Sequence, residues 1–147
     1  MDKKREEIIK LLPKEIRKLF MMSEIDFSRL QEIRLRVNMP LIVVYGAKEY
    51  FISCTGKPVS EIKEAYRVTC QQIKEAMVYI SSYSRYAFED EIRQGFITVE
   101  GGHRVGVAGR IIWDGGKIKS ITYISFINIR ISHEVIGCSD SVIGYLY

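Results

Sequence analysis

Apolar residues recur at helical spacing over residues 5–20, where Ile8, Ile9, Leu11 and Leu12 are followed by Ile16, Leu19 and Phe20. Pro13 interrupts that stretch. Proline has no amide proton and clashes with the preceding helical turn, so a kink or two short helices is expected, with Pro13 starting the second. The period then changes. Over residues 31–38, Ile33, Leu35 and Val37 share one face while Glu32, Arg34 and Arg36 share the other, the alternation of a half-buried strand. Asn38-Met39-Pro40 is a turn signal. Residues 41–45 are almost all apolar, as in a strand covered on both faces. Gly46-Ala47 then turns the chain into residues 49–53, which completes a three-stranded meander.

Gly56-Lys57-Pro58 reads as a loop and residues 65–68 as a short strand. Thr69-Cys70-Gln71-Gln72 has the spacing of a capping box, so a helix is expected over 70–81, burying Ile73, Met77 and Ile80. A further helix over 87–94 ends at Gly95, a residue suited to the left-handed position after a helix. From there the pattern is β, with strands expected at 96–100, 104–113, 117–124 and 126–131. Asp114-Gly115-Gly116 between two apolar runs signals a hairpin. In the last strand Ile127, Ile129 and Ile131 oppose Asn128 and Arg130.

These elements predict an α+β fold: a mostly antiparallel sheet, or two, with helices packed on one face and an N-terminal helical extension. The expected divisions are an extension at 1–28, an α+β domain at 29–138 and the start of a helix or linker at 139–147. The strand groups 31–53 and 96–131 suit two halves of a split sheet. Ser139-Asp140 resembles a helix N-cap, and Val142, Ile143, Tyr145 and Leu146 follow it up to Tyr147. An amphipathic pattern that stops after one turn is expected of a fragment of a longer protein.

Composition narrows the class. With 147 residues, 47% hydrophobic and 27% charged, the chain has the profile of an ordinary globular domain rather than a disordered one. The net charge is +4 and the pI about 8.9, which leaves both a nucleic-acid partner and a more local anion site open. Positive charge gathers in residues 1–18 and again in 93–119. Cys54, Cys70 and Cys138 form no CxxC, and their odd number spoils a disulfide framework, so reduced and partly buried thiols of a cytosolic protein are expected. The charged N-terminus and Pro13 lead one to expect no signal peptide, and no apolar run approaches a membrane span.

The most conspicuous segment is Gly101-Gly102-His103-Arg104-Val105-Gly106-Val107-Ala108-Gly109. It is not a phosphate-binding loop, because Lys and Ser or Thr do not follow the glycines, nor is it a dinucleotide fingerprint, because no helix pattern follows. Its alternation instead puts Arg104, Gly106, Ala108 and Arg110 on one strand face. Two guanidinium groups there flank a floor of small residues, with Cα atoms roughly 20 Å apart. Close packing by a helix of the same domain, an interface or an anion site each fit that floor. His103 and His133 make no metal spacing with the cysteines, so structural roles are expected of them. Glu89, Asp90 and Glu91 sit where carboxylates favour a helix start, and no nucleophile, base and orienting group can be assembled. Tyr79, Tyr83, Tyr86 and Phe88 around Arg85 suit packing more than base stacking.

The run from Tyr83 through Tyr86-Ala87-Phe88-Glu89-Asp90-Glu91-Ile92-Arg93-Gln94-Gly95-Phe96-Ile97-Thr98 into Gly101-Gly102-His103-Arg104-Val105-Gly106 resembles the stage III sporulation protein AA family. Gln31-Glu32-Ile33-Arg34-Leu35-Arg36, Ile127-Asn128-Ile129-Arg130-Ile131 and Gly137-Cys138 fit the same family. That family is similar to the ring-forming ATPases of type II and type IV secretion, whose members continue into a RecA-like domain with a Walker A loop. The resemblance implies the non-catalytic N-terminal domain of a sporulation ATPase in the mother cell, energising a channel complex to the forespore. Its implied partners are its own C-terminal ATPase domain, neighbouring subunits of a hexameric ring and membrane proteins of the channel. It implies a cytoplasmic location, peripheral to the membrane through those partners. ATP and magnesium are implied for the full-length family and no cofactor for this segment. In such ATPases N-terminal arginines reach nucleotide phosphates or an adjacent subunit, so Arg104, Arg110 and Arg130 are the expected candidates. A nucleic-acid-binding module remains the alternative class, although nucleic acid is not the expected partner.

Overall fold

The computed structural model describes residues 3–87, 90–91 and 95–133. Two short helices, α1 (Lys3–Ile9) and α2 (Lys14–Met22), lead into strands β1 (Leu30–Arg36), β2 (Ile42–Tyr45), β3 (Lys48–Ile52) and β4 (Pro58–Val59). A 3-10 turn at Ile62–Glu64 and helix α3 (Cys70–Ser82) come next, then β5 (Ile97–Thr98), β6 (Arg104–Asp114) and β7 (Lys117–Arg130). The strands form one sheet in the order β4-β3-β2-β1-β7-β6-β5, with every pairing antiparallel. This is an α+β fold, as the sequence predicts.

Pro13 separates α1 from α2, and neither helix end is left bare. Arg17 of α2 reaches back with Nε to the Leu12 carbonyl at 2.7 Å and with Nη2 to the Lys10 carbonyl at 2.9 Å, satisfying carbonyls at the break. Pro13 offers no capping side chain, and Glu75 of α3 takes that role by accepting the Lys14 N–H at 2.7 Å. At α3 the capping box forms as expected, with Thr69 and Gln72 exchanging side-chain and backbone hydrogen bonds.

Register sorts the sheet into two unlike faces. Val43, Ile33, Ile129 and Val105 lie side by side across β2, β1, β7 and β6, and Leu35, Ile127 and Val107 form the next apolar row. These rows meet Ile8, Leu11, Leu12, Ile16, Leu19 and Phe20 from the first helices and Ile73, Ala76 and Ile80 from α3 in one core. A bulge between Leu30 and Glu32 lets Leu30 join Ile33 and Leu35 on the buried face despite its odd spacing. On the other face run Glu49, Val44, Glu32, Arg130 and Arg104 in one row, and Phe51, Ile42, Arg34, Asn128 and Gly106 in the next.

Several expectations are corrected. The sheet is not split, because β1 pairs with β7 from Glu32↔Arg130 to Arg36↔Phe126 and joins the two strand groups. Residues 65–68 form no strand and contribute only single bridges, Ser53↔Ala65 and Pro40↔Arg67. The loop expected at 56–58 instead opens β4, which pairs with the end of β3. The two strands expected at 117–124 and 126–131 are one, β7, whose register shift and left-handed Tyr123 (φ 49°) absorb the break in alternation. Cys54 and Cys70 are exposed rather than partly buried. The Asp114–Lys117 hairpin forms as expected, with Gly115 and Gly116 both at positive φ. Most of the helix expected at 87–94, Cys138 and the segment 139–147 lie outside the described residues.

Gly56 has φ +84°, and a Cβ there would collide with the main-chain carbonyl oxygen of Leu19 in α2. Neither backbone can yield without moving the helix off the sheet. Gly56→Ala is therefore expected to destabilise the fold by about 1–3 kcal/mol in urea unfolding. A variant as stable as the parent would contradict this docking.

Candidate functional site

The face away from the core is organised around Glu32, whose side chain is only 12% exposed. Its Oε2 accepts from Arg34 Nε at 2.6 Å and its Oε1 from Asn128 Nδ2 at 2.9 Å, while Arg130 Nε lies 3.4 Å from Oε1. Arg34 is shared, since its Nη1 also donates to Glu49 at 2.8 Å. β1 supplies Glu32 and Arg34, and β7 supplies Asn128 and Arg130, so the network exists only because these strands are neighbours. Burial pushes the Glu32 carboxyl up, but hydrogen bonds from Asn128 and Arg34 and the charges of Arg34 and Arg130 outweigh it, and the group titrates below its ordinary value. Hydrogen bonds to Glu32 and Glu49 correspondingly raise Arg34.

The structure brings together two of the three arginines singled out in the sequence. Arg104 and Arg130 are directly opposite one another across β6 and β7, both exposed. The Arg104 guanidinium also stacks over Phe96 at 4.6 Å from the ring centroid. They border a shallow groove of about 310 Å³ whose floor includes Gly106, Ala108, Phe126 and Asn128. Arg110 is not part of this group. It stands farther along β6, past a shift in register, over the ring of Tyr123 at 4.9 Å. Arg34, Arg36, Asn128 and Glu32 carry no motif in the sequence, although the alternation of 31–38 and 127–131 sets them on the polar faces of two strands. What it could not show is that those faces adjoin.

The glycine-rich segment divides between two jobs. Gly101 and Gly102 have positive φ in the turn before β6, whereas Gly106 belongs to the strand and has open space where a Cβ would be. The two histidines take structural roles. His103 is fully buried; its Nδ1 accepts the Ser132 N–H at 2.9 Å, so Nε2 carries the proton and donates to Glu7 at 3.0 Å. Burial lowers the His103 pKa, with Glu7 opposing that shift. His133 donates from Nε2 to the Leu30 carbonyl and accepts from Lys4 Nζ, each at 2.7 Å. Lys4 and Glu7 of α1 thereby fasten that helix to the open end of the β6–β7 ladder, where β6 begins and β7 ends.

Of the tyrosine cluster expected to pack, Tyr86 is exposed instead, and Phe88 lies outside the described residues. Tyr79 lies under Arg17 of α2 at 4.4 Å and Tyr83 under Lys10 of the turn between α1 and α2 at 4.1 Å, so both rings serve cations of the N-terminal segment. Lys10 also pairs with Glu100 at 2.6 Å. Glu91, expected at a helix start, is buried and accepts the Thr98 N–H at 2.9 Å. Glu89 lies outside the described residues. Among the described residues no group of three or more His, Cys, Asp or Glu side chains is placed to hold a metal ion. No described helix is long and apolar enough to cross a membrane.

Because Glu32 titrates lower in the fold than its ordinary value of 4.5, its stabilisation is present in full above that value and is lost as pH falls through the lower, folded value. Glu32→Gln is expected to cost about 1 kcal/mol at neutral pH. The gap to the parent should then close as unfolding is measured at successively lower pH below 4.5. A gap that is constant with pH would show that the carboxylate is not the hub of the network.

Comparison with known proteins gives two results. The family model described as "Sporulation stage III, protein AA" matches residues 2–147. "Stage III sporulation protein AA" of Bacillus subtilis (strain 168) is 30% identical over 142 residues, which cover 96% of this chain and 42% of that protein. The chain thus spans less than half the length of this curated relative.

Proposed function

The chain belongs to the sporulation stage III, protein AA family, and on that premise we propose that it serves as the non-catalytic N-terminal domain of a sporulation-specific, secretion-type ATPase. In this reading the domain positions the motor, helps assemble a ring of subunits and meets membrane proteins of a channel between mother cell and forespore. It works on the cytoplasmic, mother-cell side, held at the membrane through those partners. ATP and magnesium belong to the motor part of the full-length protein.

The observation that carries the reading is the family match over nearly the entire chain. The state of the side chains agrees with it. Glu7, Glu32 and Glu91, together with His103, are committed to hydrogen bonds that hold elements together, which suits scaffolding rather than proton transfer. Arg104 and Arg130 are exposed and adjacent on a rigid sheet, the presentation an arginine needs to reach a phosphate or an acidic group of a neighbouring subunit. Arg110 would make a separate contact, because the register shift sets it apart from that pair.

ATP turnover and ring assembly of the full-length protein test this reading, with Arg104→Ala, Arg110→Ala and Arg130→Ala compared singly. Loss of an arginine that stabilises the transferring phosphoryl group should slow turnover by on the order of a hundredfold or more. Loss of a subunit contact should impair assembly instead. Unchanged turnover and assembly in all three variants would overturn the arginine assignment. ATP hydrolysis by the 147-residue chain alone would overturn the non-catalytic one.

A further inference from the structure

We propose that the open face of the sheet docks an acidic polypeptide segment, laid over Gly106, Ala108 and Asn128 and held by Arg36 and the Arg104–Arg130 pair. The inference rests on the reading of this domain as an assembly module and names the chemistry of what it assembles with.

Among the described residues, two buried side-chain atoms lack a hydrogen-bond partner, Arg36 Nε and Asn128 Oδ1. Both residues lie on this face, Asn128 opposite Arg34 and Arg36 opposite Phe126 on the same pair of strands. They ask for opposite things: the guanidinium nitrogen needs an acceptor, and the amide oxygen needs a donor. The Asn128 amide cannot relieve itself by rotating, because its Nδ2 already donates to the Glu32 carboxylate, which has no proton to offer in return. Buried polar atoms left unpaired are costly, so a small outward turn of either side chain toward a ligand that supplies its partner gains more than charge alone would give.

Charge selects the kind of ligand. Arg34, Arg36, Arg104 and Arg130 share the face with Glu32 and Glu49, and both carboxylates are already engaged by Arg34. The surplus is positive and concentrated in guanidinium groups, which recognise carboxylates bidentately. A phosphate oxyanion would satisfy the arginines but offers acceptors where Asn128 needs a donor. A polypeptide offers carboxylates for the arginines and main-chain N–H groups for Asn128 at once. There is room for its backbone to approach, because a Cβ built on Gly106 meets nothing within 4 Å and the groove above it has a volume of about 310 Å³. Phe96 and Phe126 line the groove and give the segment apolar surface to rest on.

The test is NMR titration of the isotopically labelled 147-residue chain with a synthetic peptide of alternating glycine and glutamate. Signals of Gly106, Ala108 and the Asn128 side-chain amide should shift, and the same peptide with glutamine in place of glutamate should leave them in place. Arg36→Gln should weaken binding roughly tenfold. Gly106→Glu should do the same by filling and recharging the floor; its Cβ has free space and its φ is not left-handed, so the variant retains the fold. Shifts elsewhere, no shifts, or affinity indifferent to both substitutions would overturn the proposal. So would an oligothymidylate that shifts the same signals more tightly than the peptide, which would point to nucleic acid instead. ATP turnover does not enter the assay, so this inference and the motor assignment can fail separately.

Discussion

The register of β1 between β2 and β7 is the constraint on which the remaining structure depends. β1 is the middle strand of seven, and successive side chains on a strand point to opposite faces. Ile33 between Val43 and Ile129 therefore fixes Glu32 between Val44 and Arg130. A slip of one residue would turn Ile33 and Leu35 to water and bring Glu32 and Arg34 into the core. Burial of one such aliphatic side chain is worth roughly 1.5–3 kcal/mol, and a stranded carboxylate or guanidinium costs more. The apolar face thus sets the polar one. The arginine face is precise because the core on the reverse side leaves no alternative register.

The first two helices make that arrangement one-sided. Their apolar positions fill the core face together with α3, while Glu7 and Lys4 reach the imidazoles of His103 and His133. Gly101 sits at this seam with φ +92°, a conformation that favours glycine, and its lack of a Cβ leaves room for the Glu7 carboxylate. With one face covered and tethered, the other keeps its polar row open to a partner. Glu32 prevents the arginines from simply repelling one another. It holds Arg34 and Asn128 in place, so that Arg36, Arg104 and Arg130 are presented on a firm base. That division suits a domain whose work is to be held against something else.

Much of this was legible in the sequence, wherever the signal was local. The alternation of 31–37, the break at Pro13, the Thr69–Gln72 box and the Asp114-Gly115-Gly116 turn each depend on neighbouring residues, and each forms. The β1–β7 pairing was hidden because its partners, such as Glu32 and Arg130, lie far apart in the chain and nothing local marks them. The same distance hid the Glu32 network and the two histidine tethers. The all-apolar run 41–45 suggested a strand covered on both faces. In the fold Ile42 lies between Phe51 and Arg34 on the open face, and these larger neighbours shield it there. Of the candidate site, the sequence showed the Arg104–Arg110 strand but not that pairing with β7 sets Arg130 opposite Arg104 and leaves Arg110 apart.

The central claim is that this register fixes the arginine face, and the inter-strand NOE ladder of the chain in solution tests it most directly. The account requires Ile33 to pair with Ile129 and Val43, and Glu32 with Arg130 and Val44. A ladder displaced by one residue, with Ile33 beside Arg130, or a β1 that shows no contacts to β7, would contradict it.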